Sequence, residues 1–254
     1  MRAAPNGLRA AQASLEVRTL PTRRQLLAAT ASLPLAATIG PRSAWASWPI
    51  KVLGDPAAPI EIREFSSLTC PACAQLHAQS LPPIKADYID KGLAKLVFRD
   101  FPLDLRAWLA SVVAHCSGEE LFFPLLDMLF REQRRWVGAP TNAAARQRLD
   151  EGGLPRLWRE AGRSQQDVDA LFSVAGTINT LVDIAALAGV PAEQTTRCLA
   201  DFELMDWVLE GYQEGRDVFG VDATPTLIID GTRHVGVQPA SQLASLIDAA
   251  LARR

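Results

Sequence analysis

Two cysteines separated by two residues, Cys70 and Cys73, stand inside the stretch SLTCPACAQLH at positions 67–77, directly after an apolar run and directly before helix-forming sequence. A cysteine at the first turn of a helix meets unpaired N–H groups and the positive end of the helix dipole, and both favour thiolate over thiol. Thiolate is the attacking species in disulfide exchange. Cys70 fits that role, and Cys73, roughly one turn further in, fits a more buried thiol that closes on it. Two other readings stay open. A structural disulfide spanning two residues closes almost no chain entropy and stabilises little. A metal site would need its second half from Cys116, Cys198, His77, His115 or His234, and the chain holds no second CxxC and no HxxxH.

Compartment is read from the other end of the chain. Residues 1–24 carry five arginines against one acid, Glu16; an uncharged apolar segment runs from Leu26 to Gly40, and Ala44-Trp45-Ala46 precedes Ser47. A basic start, an apolar stretch and an A-x-A pattern make an export signal, and the paired Arg23-Arg24 before Gln25-Leu26-Leu27 point to the twin-arginine route. The apolar stretch falls short of the roughly 20 residues that cross a bilayer. Residues 1–46 are therefore expected to be removed near Ala46, in the periplasm. Removing them from the 254 leaves 208 residues with 20 basic against 27 acidic, a net charge of about −7. That balance argues against nucleic acid and anionic membrane surfaces, whose binding rests on basic residues. No second apolar run is long enough to span a bilayer, so a soluble mature protein is expected. All four cysteines lie in the exported part, and an even count suits disulfide chemistry in an oxidising compartment.

Along the chain, Ile60 to Phe65 reads as a strand and Cys73 to Gln79 as helix. Leu81-Pro82-Pro83 interrupts the helix, a second helical piece runs from Ile84 to Lys91, and Gly92 caps it. Leu93 to Phe98 reads as a second strand. From about Asp104 to Gly220 helix follows helix, with Ser164 and Asp167 placed as a weak capping box. Leu121, Phe122, Phe123, Leu125, Leu126, Leu129 and Phe130 read as core of this block, and Arg131, Arg134 and Arg135 as a solvated face. Strand character returns at Thr226 to Ile229, turns at Asp230-Gly231 and resumes at Arg233 to Val237. Leu243, Leu246, Ile247, Ala250 and Leu251 then mark one buried face of a closing helix. The order is strand, helix, strand, helical block, hairpin, helix: a βαβ half and a ββα half that together form one sheet.

Pro225 stands just before the third strand, where a central strand would not tolerate it. A cis Thr224-Pro225 bond would leave the Thr224 carbonyl and N–H free for an extended substrate, and an ordinary trans proline opening a strand fits the residues as well.

The strand, Cys70-Pro71-Ala72-Cys73, the helix after it, the long helical insertion and Ala223-Thr224-Pro225-Thr226 together resemble the DsbA-like form of the thioredoxin fold, the exported thiol:disulfide oxidoreductases. The resemblance covers most of residues 50–254. It implies an α/β, thioredoxin-like fold with an inserted all-helical subdomain: residues 47–103 as the first half, 104–218 as the insertion and 219–254 as the second half. Cys70 and Cys73 take the family's catalytic positions, Thr224 and Pro225 its substrate-binding loop, and Glu64, six residues before Cys70, its buried acid. A solvated strand carboxylate is the plainer reading of Glu64.

Many strongly oxidising members carry His where Ala72 stands, so the redox poise stays open, and a reductase, an isomerase or a copper- or zinc-handling protein remains an alternative. Some relatives have a second disulfide in the helical subdomain. In an oxidising compartment that makes a Cys116–Cys198 bond the expectation, against two buried free thiols. The resemblance further implies reduced folding polypeptides as substrates, a quinone-coupled membrane protein as reoxidising partner, and no metal or organic cofactor. The short lead before the first strand favours a monomer. His77 reads as a surface residue, and His115 has only its neighbour Cys116 to recommend it.

Overall fold

The structure, a computed structural model, describes residues 48–254, and the export signal expected over residues 1–46 lies outside the described residues. Alternating apolar residues in Ile60-Glu61-Ile62-Arg63-Glu64-Phe65 build the central strand β2 (Ile60–Ser66). It pairs in parallel with β3 (Ala94–Asp100) and antiparallel with β4 (Thr226–Ile229). With β1 (Lys51–Leu53) and β5 (Thr232–Val235) at the edges, the sheet order is β1-β3-β2-β4-β5. Three residues are too few to show a period, so no local pattern marks β1. The hairpin between β4 and β5 turns at Asp230 and Gly231, whose φ values of 48° and 76° are the positive pair that such a two-residue turn requires.

The segment after the cysteines is one helical rod of alternating character: α1 (Pro71–Gln75), a π turn over Leu76–Ser80, α2 (Leu81–Ile84) and a second π turn over Lys85–Ile89. Pro82 and Pro83 do not break it, contrary to the expectation. A proline ring collides with the carbonyl four residues back and donates no hydrogen bond. The π turn just ahead bonds Leu81 N–H to the Leu76 carbonyl, five residues back, and so widens the rod where the rings need room. This rod and α12 (Ala240–Leu251) cover one face of the sheet, burying Ile60, Ile62, Leu76, Ile84, Leu96, Leu227, Leu243 and Ile247.

Between β3 and β4 come α3 (Leu105–Cys116), α4 (Gly118–Arg131), α5 (Gln133–Val137), α6 (Ala143–Glu151), α7 (Leu154–Glu160), α8 (Gln165–Ser173), α9 (Ala175–Leu187), α10 (Ala192–Cys198) and α11 (Phe202–Asp217). Side chains at their starts satisfy N–H groups that lack a helical partner. Asp104 accepts from Ala107, Asn142 from Ala145 and Asp201 from Leu204, and Ser164 with Asp167 forms a full capping box. Phe122, Leu125, Leu126, Leu129 and Phe130 are buried in the block, and Leu121 is 37 % exposed. Cys116 and Cys198, at the ends of α3 and α10, lie 5.9 Å apart at Cα with their sulfurs in bonding contact.

Helix α11 covers the second face of the sheet. Glu214 on it is gripped by Arg63 of β2 at 2.7 Å and Arg99 of β3 at 2.5 Å. Gly211 and Gly215, one turn apart, let the helix lie directly on the sheet: a Cβ on Gly211 would sit 2.8 Å from the Asp100 carbonyl oxygen, and one on Gly215 2.9 Å from both the Phe65 and Phe101 rings. Gly211→Ala must push α11 away from backbone that cannot yield, so it should destabilise the protein by about 1–3 kcal/mol. Urea unfolding of wild type and variant reads this directly, and an unchanged midpoint would refute the close approach.

Candidate active site

Cys70 ends the loop after β2 in an extended conformation and is the N-cap of α1, with Pro71, which has no N–H to leave unpaired, as the first helical residue. A cis Thr224-Pro225 bond lies at the start of β4, and the Cys70 sulfur stands 3.3 Å from the Thr224 carbonyl oxygen. Cys70 keeps 9 % of its surface open, while Cys73, one turn in, is fully buried.

The two sulfurs are driven to opposite protonation states. A hydrogen bond from the Cys73 thiol is the largest influence on Cys70. Burial opposes it, and the Thr224 hydroxyl and the N–H groups of Cys73 and Ala72 add to it, holding Cys70 at about 5 against an ordinary 9.0. Burial pushes the Cys73 thiol far up, its bond to Cys70 pushes it further, and the Ser66 hydroxyl works weakly the other way. At neutral pH the reduced pair is thus one thiolate with a small open face beside one fully buried thiol.

Beneath the pair, Glu64 of β2 lies between Phe98 of β3 and Leu227 of β4 and is fully buried. The Ser66 hydroxyl donates to its Oε1, and His77 Nε2 reaches the same oxygen at 2.9 Å. Among the described residues the other carboxylate oxygen has no hydrogen-bond partner. His77 contradicts its reading as a surface residue: its side chain is 5 % exposed, stacks on Phe130 at 4.2 Å and points Nδ1 at Asp127 of α4, 3.2 Å away. The physical reason is helical phase, since His77 is four residues after Cys73 and shares its inward face. Burial is the largest single influence on the imidazole and favours its neutral form, but the Glu64 charge and the bonds to Asp127 and Glu64 together outweigh it and raise the ring to about 9.

Gln133 and the His115–Asp100 pair join the site with no local sequence pattern that marks them for it. Gln133 of α5 is buried and donates to the carbonyls of Leu68 at 2.8 Å and Cys70 at 2.9 Å, clamping the strand-to-helix turn from the helical block. His115 pairs with Asp100 at 2.7 Å, both buried, and Asp100 stands beside Ser66 in the β2–β3 register. The structure therefore brings Cys70, Cys73, Thr224, Pro225 and Glu64 together, and Cys116 and Cys198 join in the helical block. Among the described residues no three His, Cys, Asp or Glu side chains converge as a metal ion would need.

The low Cys70 value fixes a pH dependence. Thiolate is present above about 5 and lost below it, so the rate at which iodoacetamide modifies Cys70 in the reduced protein should rise with a midpoint near pH 5 and stay level through neutrality. Cys73 should remain unmodified over the same range. A midpoint near the ordinary cysteine value of 9.0 would refute this electrostatic arrangement.

A family model described as Thioredoxin matches residues 50–249. A Rickettsia bellii (strain RML369-C) relative named as a protein-disulfide oxidoreductase is 25 % identical over 183 residues, which are 72 % of this chain and 57 % of the relative; the chain thus spans little more than half of that protein. The crystal structure of Wolbachia pipientis α-DsbA1 superimposes with a TM-score of 0.63 at 25 % identity, covering 91 % of this chain and 97 % of that one. The crystal structure of a protein-disulfide isomerase from Novosphingobium aromaticivorans gives 0.62 at 25 % identity, covering 79 % and 96 %. Since the family model takes in the cysteine pair, the Thr224-Pro225 loop and the whole of the sheet between them, this chain belongs to the thioredoxin family, and its fold is the helix-inserted form seen in the DsbA proteins among its solved neighbours.

Proposed function

We propose that the protein is an exported thiol:disulfide oxidoreductase that donates the Cys70–Cys73 disulfide to reduced, folding polypeptides. The observation that carries this reading is the low-pKa, partly open Cys70 against a buried Cys73. A stabilised Cys70 thiolate stabilises the reduced enzyme at neutral pH, which makes its disulfide an oxidant, and it makes Cys70 a good leaving group. A substrate thiolate attacks Cys70 and displaces Cys73, giving a mixed disulfide beside Thr224-Pro225. A second substrate thiolate then displaces Cys70, and the enzyme leaves with two reduced sulfurs. A membrane protein coupled to quinone reoxidises it.

Glu64 relays protons to the buried Cys73 sulfur. Cys116–Cys198 is a structural staple of the helical block. Residues 1–46 are the signal, cleaved near Ala46 for release into the periplasm, where the protein acts as a monomer. Among the described residues no single helix is long and apolar enough to cross a membrane. The isomerase name of one solved neighbour favours a second reading, the same site at a more reducing poise.

A redox titration in glutathione buffers, with each cysteine's state read by alkylation and mass, separates these readings. Reduction of Cys70–Cys73 in mildly reducing buffer, with Cys116–Cys198 resistant, is the expected result. Persistence of Cys70–Cys73 until the buffer is strongly reducing would transfer the assignment to a reductase. The Cys73→Ala variant should trap mixed disulfides on Cys70; stoichiometric metal in anaerobically purified wild type, lost in that variant, would instead identify a metal-handling protein. Glu64→Gln should slow exchange by roughly a hundredfold, and unchanged rates across pH would remove its role.

A further inference from the structure

We infer that His77 supplies the proton that neutralises the departing Cys73 sulfur, passing it through Glu64 and Ser66, and that Asp127 holds the imidazole for this task. The inference rests on the exchange reading above. Cys73 is fully buried, so the thiolate it becomes when its disulfide opens has no access to solvent protons. Glu64 alone does not solve the problem, because it is buried as deeply as the sulfur.

The geometry continues outward from there. The Ser66 hydroxyl faces the Cys73 sulfur on one side and Glu64 on the other. His77 Nε2 meets the same Glu64 oxygen at 2.9 Å, and Nδ1 meets Asp127 at 3.2 Å. Side-chain exposure rises along the row from 0 % at Glu64 through 5 % at His77 to 59 % at Asp127. Stacking on Phe130 keeps the ring in this orientation. The other charged groups near the ring line two hollows, Arg131 and Arg134 in one and Lys85, Glu119 and Glu120 in the other. None of these hydrogen-bonds the imidazole.

The step balances within these groups. A substrate thiolate forms a bond to Cys70 Sγ; the Cys70–Cys73 bond breaks and its electron pair leaves on Cys73 Sγ. Ser66 gives its hydroxyl proton to that sulfur and receives one from Glu64, and Glu64 receives the Nε2 proton of His77. The neutral imidazole keeps its Nδ1–H on Asp127 until the Nε2 proton is returned to it when the disulfide re-forms. Only sulfurs change oxidation state, and reoxidation runs the transfer backward. Because the ring is held at about 9, it is loaded with its proton at neutral pH and empties only as pH rises through that value.

The test is the rate at which dithiothreitol reduces the oxidised protein, followed by acid quench and alkylation and divided by the fraction of dithiothreitol present as thiolate. Wild type should give a rate that is flat at neutral pH and falls as pH rises through about 9. His77→Gln, which hydrogen-bonds but does not titrate there, should be at least about tenfold slower at neutral pH and should lack the alkaline fall. Asp127→Asn removes one of the two carboxylates that hold the ring's proton, so the fall should move to lower pH while the Cys70 alkylation profile stays in place. This exposed substitution decides the matter even where His77→Gln does not fold. An alkaline fall that stays put in Asp127→Asn, or a wild-type rate and profile in His77→Gln, overturns the relay and leaves the exchange reading standing. A wild-type disulfide inert to dithiothreitol overturns both.

Discussion

The Cys70 sulfur and the Thr224 carbonyl meet across 154 residues of chain, and the rest of the site depends on that meeting. It follows from the central place of β2, which pairs with β3 on one side and β4 on the other, so the loop leaving β2 and the loop entering β4 end at the same edge of the sheet. An N-cap position supplies N–H groups to one sulfur, and the helical turn beneath it hides the other. Two chemically identical side chains are thereby separated in acidity by environment alone: hydrogen bonding to the charged form dominates at Cys70 and desolvation at Cys73.

Burying charge is costly unless each charge finds a partner, and the sheet meets that demand on both faces. Under the cysteines, Glu64 pairs with His77, and Asp100 with His115. Burial works against the Asp100 carboxylate, and the His115 charge, the bonds from His115 and Ser111, and Arg99 outweigh it and keep Asp100 below its usual range. On the opposite face Arg63 and Arg99 close on Glu214. The helical block is therefore part of the site as well as a cover for it. It contributes Asp127 and Phe130 to the histidine, and through Gln133 it fixes the two carbonyls around the turn that carries Cys70.

Elements whose signal is local were legible. The alternation in Ile60 to Phe65, the Asp230-Gly231 turn and the Leu243, Ile247 and Ala250 stripe each report a period or a backbone preference confined to a few neighbours, and β2, the β4–β5 hairpin and α12 follow. Pro82 and Pro83 misled for the same reason. The local rule says that proline interrupts a helix, while packing against β2 and α12 keeps the rod together and lets π turns absorb the rings. β1 is a strand only because β3 has an edge to fill.

The cysteine pair at a strand-to-helix junction, the order of the halves around a helical insertion, and the proline entering the third strand are each written in adjacent residues, and so are legible from the chain alone. Tertiary structure alone decided that Glu64 has a charged partner, that His77 is that partner and faces inward, and that Asp127 and Gln133 belong to the site. Those residues come from separate elements. Which face of the α1 rod meets β2, and where α4 and α5 land beside it, is set by packing the whole core, and no local pattern carries that information.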